Sequence, residues 1–328
     1  MTFARDAHNR SLISIREVRR NAVNIRTRRA GMARPAGIGS LAVAEIGEIE
    51  KVALRAARAA GRVHLKWLSR TSVTRKSNAI DLVTEADQES EATVIDILRR
   101  SFPAHAVLAE ESGANEHTSE HRWIIDPLDG TTNFAHGFPQ FCVSIAYERR
   151  GRVQVAVVLD AFKKECFVTQ RGRGTALNGR SVHVSRIPTL DLSLLATGFP
   201  YDRRERRRYY LAFWEAFMMR TQGVRRTGSA ALDLAYVACG RVDGFWEFGL
   251  KQWDVAAGAL MVEEAGGHVS NMDGSRLDIA AANIVASNGR LHQRMIETLT
   301  YARPEADRRH AEMLREGNSS HGGVPAHP

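Results

Sequence analysis

Residues 123–134 read WIIDPLDGTTNF, and the interpretation of the whole chain depends on this stretch. Its first three residues are typical of the end of a buried strand, and the following proline cannot continue a regular strand ladder. We therefore expect the chain to turn at Pro127 and to aim the carboxylates of Asp126 and Asp129, with the Leu128 carbonyl between them, at one point. Oxygen atoms gathered in this way suit a hard cation.

The three residues after Asp129 suit a phosphate group. Gly130 lets the backbone approach a ligand closely, and Thr131 and Thr132 offer hydroxyl groups and, if a helix begins here, free amide groups. A plain surface turn is the alternative, because Asp-Pro followed by Asp-Gly is common in turns. The apolar strand before the turn favours a ligand site, since open α/β sheets bind ligands beyond the ends of their strands.

The composition is typical of a globular protein. The chain has 328 residues, 44% of them hydrophobic and 25% charged, which is enough for one large domain or two lobes. No apolar run is long enough to span a bilayer and no signal peptide is recognisable, so we expect a soluble cytoplasmic protein without membrane contact. The three cysteines, Cys142, Cys166 and Cys239, form no CxxC pair, which predicts reduced structural thiols.

The positive charge is concentrated near the N-terminus. Residues 1–40 contain nine arginines against Asp6 and Glu17, a charge of +7 out of +9 for the whole chain. A basic, acid-poor segment of this kind can bind RNA or a membrane surface, can direct a protein to an organelle, or is simply an unstructured extension.

The apolar periodicity predicts alternating helices and strands. Helices are expected over 46–67, 203–219, 229–239 and 253–265. A further helix should run from Thr84 or Asp87 up to Phe102, and a short charged helix should follow Pro304. Strands are expected at 106–109, 123–126, 143–147, 153–158, 166–169, 192–196 and 242–248. Turn residues between the strands of 141–185 indicate an antiparallel meander.

Acidic residues stand at the ends of several of these elements. Glu110 follows one strand, Asp87 lies near the start of the second helix, and Asp254 opens the helix at 253–265. If these carboxylates met Asp126 and Asp129, they would repel one another and take up protons unless a cation joined them. All-oxygen ligands favour Mg²⁺ over Zn²⁺, and beside a phosphate cradle they predict metal-assisted hydrolysis of a phosphate monoester. For Asp254 alone, a helix cap is the alternative.

Four separated segments together resemble the inositol monophosphatase family of magnesium-dependent, lithium-sensitive phosphatases. They are DLVTEADQ at 81–88, EES at 110–112, residues 123–134, and residues 228–258, which contain GSAA, Glu247 and WDVAAG. The resemblance implies an α/β fold, a layered αβαβα sandwich over 42–302, usually found as a homodimer. A basic, disordered extension over 1–41 and a polar tail over 303–328 would lie outside it.

The resemblance also implies two or three Mg²⁺ ions per site. Carried over residue by residue, Glu110, Asp126 and the Leu128 carbonyl would hold the first ion. The second ion would bind Asp126, Asp129 and Asp254. A third, more weakly held ion would contact Glu110 through water.

The reacting groups and the substrate contacts follow from the same resemblance. Thr131, hydrogen-bonded toward Asp87, would orient or deprotonate the attacking water beside Glu110. The implied substrate contacts are Asp129, Gly130, Thr131, Thr132, Gly228, Ser229, Ala230, Glu247, Lys251 and Asp254. Lys251 stands where relatives carry His or Arg, which leaves the substrate preference open. Lys76 resembles a lysine of a mobile loop near the metals, or is an ordinary exposed lysine.

Inositol 1-phosphate is the expected substrate, and two alternatives stay open. Related phosphatases act on histidinol phosphate, 3′-phosphoadenosine nucleotides or fructose bisphosphate, although DGTTNF at 129–134 resembles the inositol branch more than the nucleotide branch. The second alternative is a binding protein. The bacterial branch includes members of ribosomal RNA transcription antitermination complexes, and the basic extension would favour contact with RNA.

Overall fold

The structure is a computed structural model that describes residues 43–68, 74–75, 82–83, 85–114, 119–281 and 283–319. The basic extension over 1–41, Lys76, Thr84 and the end of the polar tail lie outside the described residues. Among the described residues, no helix is both long and apolar enough to cross a membrane.

Helices and strands alternate along the described chain. The helices are α1 (Val43–Leu68), α2 (Glu85–Ser101), α3 (Thr131–Ala135), α4 (Arg207–Met218), α5 (Ala230–Ala238), α6 (Gln252–Glu264) and α7 (His292–Ser319). The strands are β1 (Thr74–Arg75), β2 (Leu82–Val83), β3 (Ala106–Ala109), β4 (Gly113–Ala114), β5 (His121–Asp129), β6 (Cys142–Arg149), β7 (Arg152–Asp160), β8 (Glu165–Gln170), β9 (Gly174–Leu177), β10 (Arg180–Val182), β11 (Leu194–Thr197), β12 (Gly223–Arg225), β13 (Gly244–Glu247), β14 (His268–Asn271) and β15 (Ile284–Ser287).

Two mixed sheets and three helical layers contain most of the described residues, and β1 and β2 form a separate two-stranded antiparallel sheet. The larger sheet has the order β10-β9-β8-β7-β6-β5-β3-β4, and the smaller has the order β12-β11-β13-β15-β14. Helices α1 and α2 pack on the outer face of the larger sheet, α5 and α6 lie between the sheets, and α4 and α7 cover the smaller sheet. The main apolar core joins α5 and α6 to inward side chains of both sheets, among them Ile124 and Phe245.

The predicted meander is confirmed. Strands β6 to β10 follow one another as antiparallel neighbours, and Asn178 and Gly179 form the turn between the last two. Asn178 adopts φ 50° and Gly179 φ 77°, the left-handed backbone that tight hairpins need.

The expected break at Pro127 was wrong. Strand β5 continues to Asp129, with a register shift between Asp126 and Asp129. The ladder pairs Asp126 with Ser144 and then Asp129 with Cys142, so it passes over Pro127 and Leu128. Proline is tolerated here because a residue in the bulge need not donate a ladder hydrogen bond from its nitrogen.

Several helix and strand boundaries also differ from the sequence predictions. The helix expected from Arg203 begins only at Arg207, because Tyr201–Arg203 forms a separate 3₁₀ turn. The strand expected at 192–196 is β11, which begins at Leu194 after another 3₁₀ turn. Asp87 does not cap α2 but lies within its first turn.

The helix near the C-terminus is the largest difference. Helix α7 begins at His292, well before the expected short helix, and passes through Pro304. Ala302 and Ala306 are both buried on either side of the proline, in the cluster that α7 forms with α4. Burial of this face on α4 therefore outweighs the helix-breaking tendency of the proline.

Candidate active site

The bulge in β5 is the centre of the candidate site. The Asp126 side chain turns back on its own bulge, where its Oδ1 accepts a hydrogen bond of 3.0 Å from the Leu128 amide. Leu128 is fully buried, and Asp126 is only 2% exposed. A carboxylate is thus held beside main chain that leaves the regular β5–β6 register.

Glu110 reaches the same place from the neighbouring strand. Because β3 runs parallel to β5, their carboxyl ends meet at one edge of the sheet, where the Glu110 amide donates to the Ile125 carbonyl at 3.2 Å. Burial and the charge of Asp254 raise the pKa of Glu110 to about 8, and burial and Glu110 raise the pKa of Asp126 well above its usual range.

Asp129 connects the bulge to α5. Its Oδ2 accepts hydrogen bonds from the Ser229 hydroxyl at 2.6 Å and from the Ala231 amide at 2.8 Å. Burial raises the pKa of Asp129, and these hydrogen bonds partly offset the shift. The start of α5 is therefore fixed directly to the acidic cluster.

Asp254 approaches from α6, where it is the third residue of the helix. Its Oδ2 accepts a hydrogen bond of 2.7 Å from the Lys251 amide, so it closes the first turn as the capping alternative required. Burial and the charge of Asp129 nevertheless raise the pKa of Asp254 to about 7. Asp254 can therefore close the first turn of α6 and also belong to the acidic cluster.

Thr131 joins the bulge to α2. Its hydroxyl lies 3.0 Å from the Leu128 carbonyl oxygen and 3.4 Å from Asp87 Oδ1. Asp87 is 1% exposed. As the sequence allowed, a helix does begin at Thr131, immediately after Gly130.

Gly130 is required by its surroundings. It adopts φ 91°, and a Cβ atom at this position would lie 2.7 Å from the Gln140 carbonyl oxygen. Both the left-handed backbone and this close approach exclude a larger residue. The tight path lets α3 start directly beside Asp129.

Several of the predicted substrate contacts lie at the start of α5, which is hydrogen-bonded to Asp129, and at the end of β13. Gly228 adopts φ 88° before Ser229, which occupies the N-cap position of α5, and Ala230 is the first residue of that helix. Glu247 ends β13 with 9% exposure, and its carboxylate lies against Gly198. Burial and Asp233 raise the pKa of Glu247 well above its usual range, while Arg226 offsets part of that shift.

Thr132 and Lys251 are exposed at the edge of the site. Lys251 occupies the N-cap position of α6, and its charge lowers the pKa of the nearby Asp254 against the larger effect of burial. Lys76 lies outside the described residues.

Three residues of this region were missed by sequence reasoning. Asn133 Nδ2 donates to the carbonyl oxygens of Gln140, Thr227 and Gly228 and so ties α3 to the start of α5. Asp233 is buried in α5 and accepts a hydrogen bond from Thr227. His64 is buried in α1 beneath the bulge. Polar residues on otherwise apolar helix faces were the signal for Asp233 and His64.

The chemistry of this cluster fits a hard divalent cation. Among the described residues, no lysine or arginine forms a salt bridge with Glu110, Asp126, Asp129 or Asp254. The raised pKa values therefore show that negative charge is unfavourable in this cluster, and a cation would compensate it. No three acidic, histidine or cysteine side chains of the described chain lie close enough to enclose an ion by themselves. Main-chain oxygen, water and substrate would have to complete the ligand set, which is how Mg²⁺ is usually bound.

Comparison with known proteins agrees with the fold and the motifs. Residues 45–303 match the inositol monophosphatase family. The chain is 47% identical over 255 residues to a protein of Pseudomonas aeruginosa named Nus factor SuhB, covering 76% of this chain and 94% of that protein. It is 46% identical over 252 residues to the inositol-1-monophosphatase of Synechocystis, covering 76% and 88%.

Solved structures show the same architecture. An inositol monophosphatase from Anabaena (Nostoc) superposes with a TM-score of 0.72 at 46% identity, covering 78% of this chain and 97% of that one. An inositol monophosphatase from Thermotoga maritima superposes with a TM-score of 0.73 at 33% identity, covering 79% and 99%. The expected layered fold is thereby confirmed.

Proposed function

Because the chain belongs to the inositol monophosphatase family, we propose that it hydrolyses inositol 1-phosphate to inositol and phosphate with the help of Mg²⁺. The observation that carries the proposal is the gathering of Glu110, Asp126, Asp129 and Asp254 at the bulge. Burial raises all four pKa values, and the charge of a neighbouring carboxylate adds to the shift at Glu110, Asp126 and Asp254. Asp126 and Asp129 are buried, and Glu110 and Asp254 are half-buried. Removing carboxylates from water is unfavourable unless a ligand compensates their charge.

We assign the metal ligands from the family resemblance, and the placement of Asp126 and Asp129 on the bulge of β5 supports this assignment. Glu110, Asp126 and the Leu128 carbonyl would hold one Mg²⁺. Asp126, Asp129 and Asp254 would bind a second, for which their side chains would have to move closer together than they lie in the structure. A third ion would contact Glu110 through water. When bound, Mg²⁺ lowers the pKa of water and neutralises charge on the phosphate and on the leaving oxygen.

Thr131 and Asp87 would manage the proton of the attacking water. The Thr131 hydroxyl is placed between the Leu128 carbonyl and Asp87, so it can accept a hydrogen bond from water while donating to Asp87. The water oxygen bonds to phosphorus, the ester bond to inositol breaks on the opposite side, and a proton ends on the inositol oxygen.

The substrate would be held from two sides. Gly130, Thr131 and Thr132 would bind phosphate oxygens at the start of α3. Hydroxyl groups of the inositol ring would face Asp129, Asp254, Gly228, Ser229, Ala230, Glu247 and Lys251. Burial raises the pKa of Glu247, and its carboxyl oxygens can accept hydrogen bonds from the hydroxyl groups of a polyol.

Phosphate release from inositol 1-phosphate tests the proposal. Wild type should require Mg²⁺, and Asp126→Asn should lose about 100-fold or more of the activity because a shared ligand is neutralised. Asp191→Asn, an exposed aspartate in the 3₁₀ turn before β11, is the matched control and should keep full activity. An inactive wild type, or full activity in Asp126→Asn, would contradict the proposal.

A substrate panel distinguishes the related phosphatase activities. Histidinol phosphate, a 3′-phosphoadenosine nucleotide and fructose bisphosphate should be hydrolysed with a lower kcat/KM than inositol 1-phosphate. If histidinol phosphate were hydrolysed with the highest kcat/KM, the proposed metal site would stand and the proposed substrate would be wrong.

A role in a transcription complex is the second candidate function. The observation that favours it is the identity of 45–47% to proteins named Nus factor SuhB. Such a role is compatible with catalysis, because the basic extension lies outside the family match at residues 45–303. We also expect the homodimer that the family resemblance implies, which analytical ultracentrifugation would measure.

A further inference from the structure

A buried histidine lies directly beneath the bulge that carries the acidic cluster. His64 belongs to α1 and has no exposed surface. Its Nε2 atom lies 2.9 Å from the carbonyl oxygen of Pro127, the residue between Asp126 and Leu128. A helix on the outer face of the sheet is thereby joined to the main chain of the candidate metal site.

The geometry fixes the tautomer of this ring. A carbonyl oxygen can only accept, so Nε2 must carry the hydrogen. No described residue forms a hydrogen bond with Nδ1. Burial lowers the pKa of His64 to about 4, so the ring is neutral near pH 7 and serves as a constant donor.

The Pro127 carbonyl needs a donor because of the bulge. The β5–β6 ladder passes over Pro127 and Leu128, and Pro127 is buried. Without His64 this carbonyl oxygen would lose a hydrogen bond at a buried position, which is unfavourable because buried main-chain polar groups are normally paired.

The same peptide unit holds Asp126. The carbonyl group of Pro127 and the amide group of Leu128 belong to one trans peptide, so they point in opposite directions. The carbonyl is bound by His64, and the amide donates to Asp126 Oδ1 at 3.0 Å. The orientation that His64 gives to this peptide therefore decides where the Asp126 carboxylate is held.

Apolar packing keeps the imidazole in place. The rings of Phe134 and Phe141 lie 6.0 Å from it, and both phenylalanines belong to a small buried cluster with Ala86 and Leu128. Ala86 is adjacent to Asp87. The His64 ring is thus packed among the segments that carry the predicted metal and water-orienting groups.

We propose that His64 is a positioning residue that sets the Mg²⁺ affinity of the site by fixing the Pro127–Leu128 peptide. It touches neither substrate nor the reacting atoms. His64 can have this role only if the proposed metal site exists, so the experiment must separate the two.

Three variants of the full chain test the proposal by Mg²⁺ titration calorimetry, with steady-state kinetics beside it. His64→Leu fills the space without a donor and should weaken Mg²⁺ binding about tenfold, since the bulge loses one hydrogen bond. Its kcat at saturating Mg²⁺ should stay within about threefold of wild type. His64→Gln, whose amide nitrogen can replace Nε2, should regain most of the affinity.

His292→Leu is the matched control for losing a buried histidine. His292 is 8% exposed and bonds to Ser270 and Ser287 of the smaller sheet, so its loss should leave the Mg²⁺ affinity unchanged. Equal Mg²⁺ affinity in wild type and His64→Leu, or no recovery in His64→Gln, would overturn the role of His64 and leave the proposed function intact. A wild type that binds no Mg²⁺ would overturn the proposed function as well.

A measurement on the wild type covers the case in which His64→Leu does not fold. In the NMR spectrum of protein labelled with ¹⁵N at histidine, His64 should carry its proton on Nε2, and that proton should exchange slowly with water. Addition of Mg²⁺ should shift the Nε2 resonance. A proton on Nδ1, or an Nε2 signal that Mg²⁺ does not change, would overturn the role proposed here.

Discussion

At the scale of the residue, Thr131 is the clearest case of one side chain joining two parts of the site. Thr131→Val keeps the shape of the side chain and removes the hydroxyl that contacts Leu128 and Asp87. We expect kcat to fall about 100-fold or more, because the proton path from water is lost, with KM changed less than about threefold. Steady-state kinetics on inositol 1-phosphate would measure this.

Thr131→Ser is the control, since it restores the hydroxyl and should recover most of the kcat. If Thr131→Val and Thr131→Ser were equally impaired, the methyl group rather than the hydroxyl would be the part that matters.

The acidic side chains predict how stability depends on pH in the absence of metal. The pKa values of Glu110, about 8, and Asp254, about 7, lie above those of unfolded carboxyl groups. Between about pH 4 and pH 8 the folded protein therefore holds more protons than the unfolded chain, and its free energy of unfolding falls as the pH rises. The fall is about 1.4 kcal/mol per pH unit for each extra proton held.

Thermal unfolding in EDTA between pH 6 and pH 8.5 would measure this fall. Saturating Mg²⁺ should make it smaller, because the cation replaces the protons. A Tm in EDTA that is constant or rises across this range would contradict the raised pKa values.

At the scale of the element, the bulge in β5 and the start of α3 depend on one glycine. Gly130→Ala would place a Cβ 2.7 Å from the Gln140 carbonyl oxygen on a backbone of φ 91°. We expect a loss of about 2–4 kcal/mol in the free energy of unfolding, from the strained backbone and from the displaced strand start. Denaturant unfolding would measure the loss.

Gly137→Ala is the matched control. Gly137 also has a left-handed backbone, φ 68°, but a Cβ there would meet nothing within 4 Å. Its substitution should cost only the backbone strain, about 1 kcal/mol. Equal losses in the two variants would show that the contact with Gln140 is unimportant.

At the scale of the whole molecule, the charge distribution allows the two proposed activities to be tested separately. Residues 1–40 carry +7 of the net +9, and the family match begins only at residue 45. Deletion of residues 1–40 should therefore abolish salt-sensitive RNA binding, measured by fluorescence anisotropy, and leave phosphate release unchanged. RNA binding that survives the deletion would exclude the extension as its source.

Local sequence patterns were enough to predict the chemistry of the individual segments. The apolar run before Asp126, the glycine at 130 and the helical spacing in α1, α5 and α6 are local patterns, so they predicted elements within a few residues of their observed bounds. The four motif segments also identified the family, because the order and spacing of several short segments carry more information than any one of them. They are residues 81–88, 110–112, 123–134 and 228–258.

The contacts between residues far apart in the sequence became visible only in the folded chain. Pro127 stays within β5 because the ladder shifts register there, and α7 passes through Pro304 because its apolar face is buried on α4. The contact of His64 with Pro127 joins residues 63 positions apart. Such outcomes depend on long-range packing, whose free energy exceeds local preference and leaves no periodic signal in the sequence.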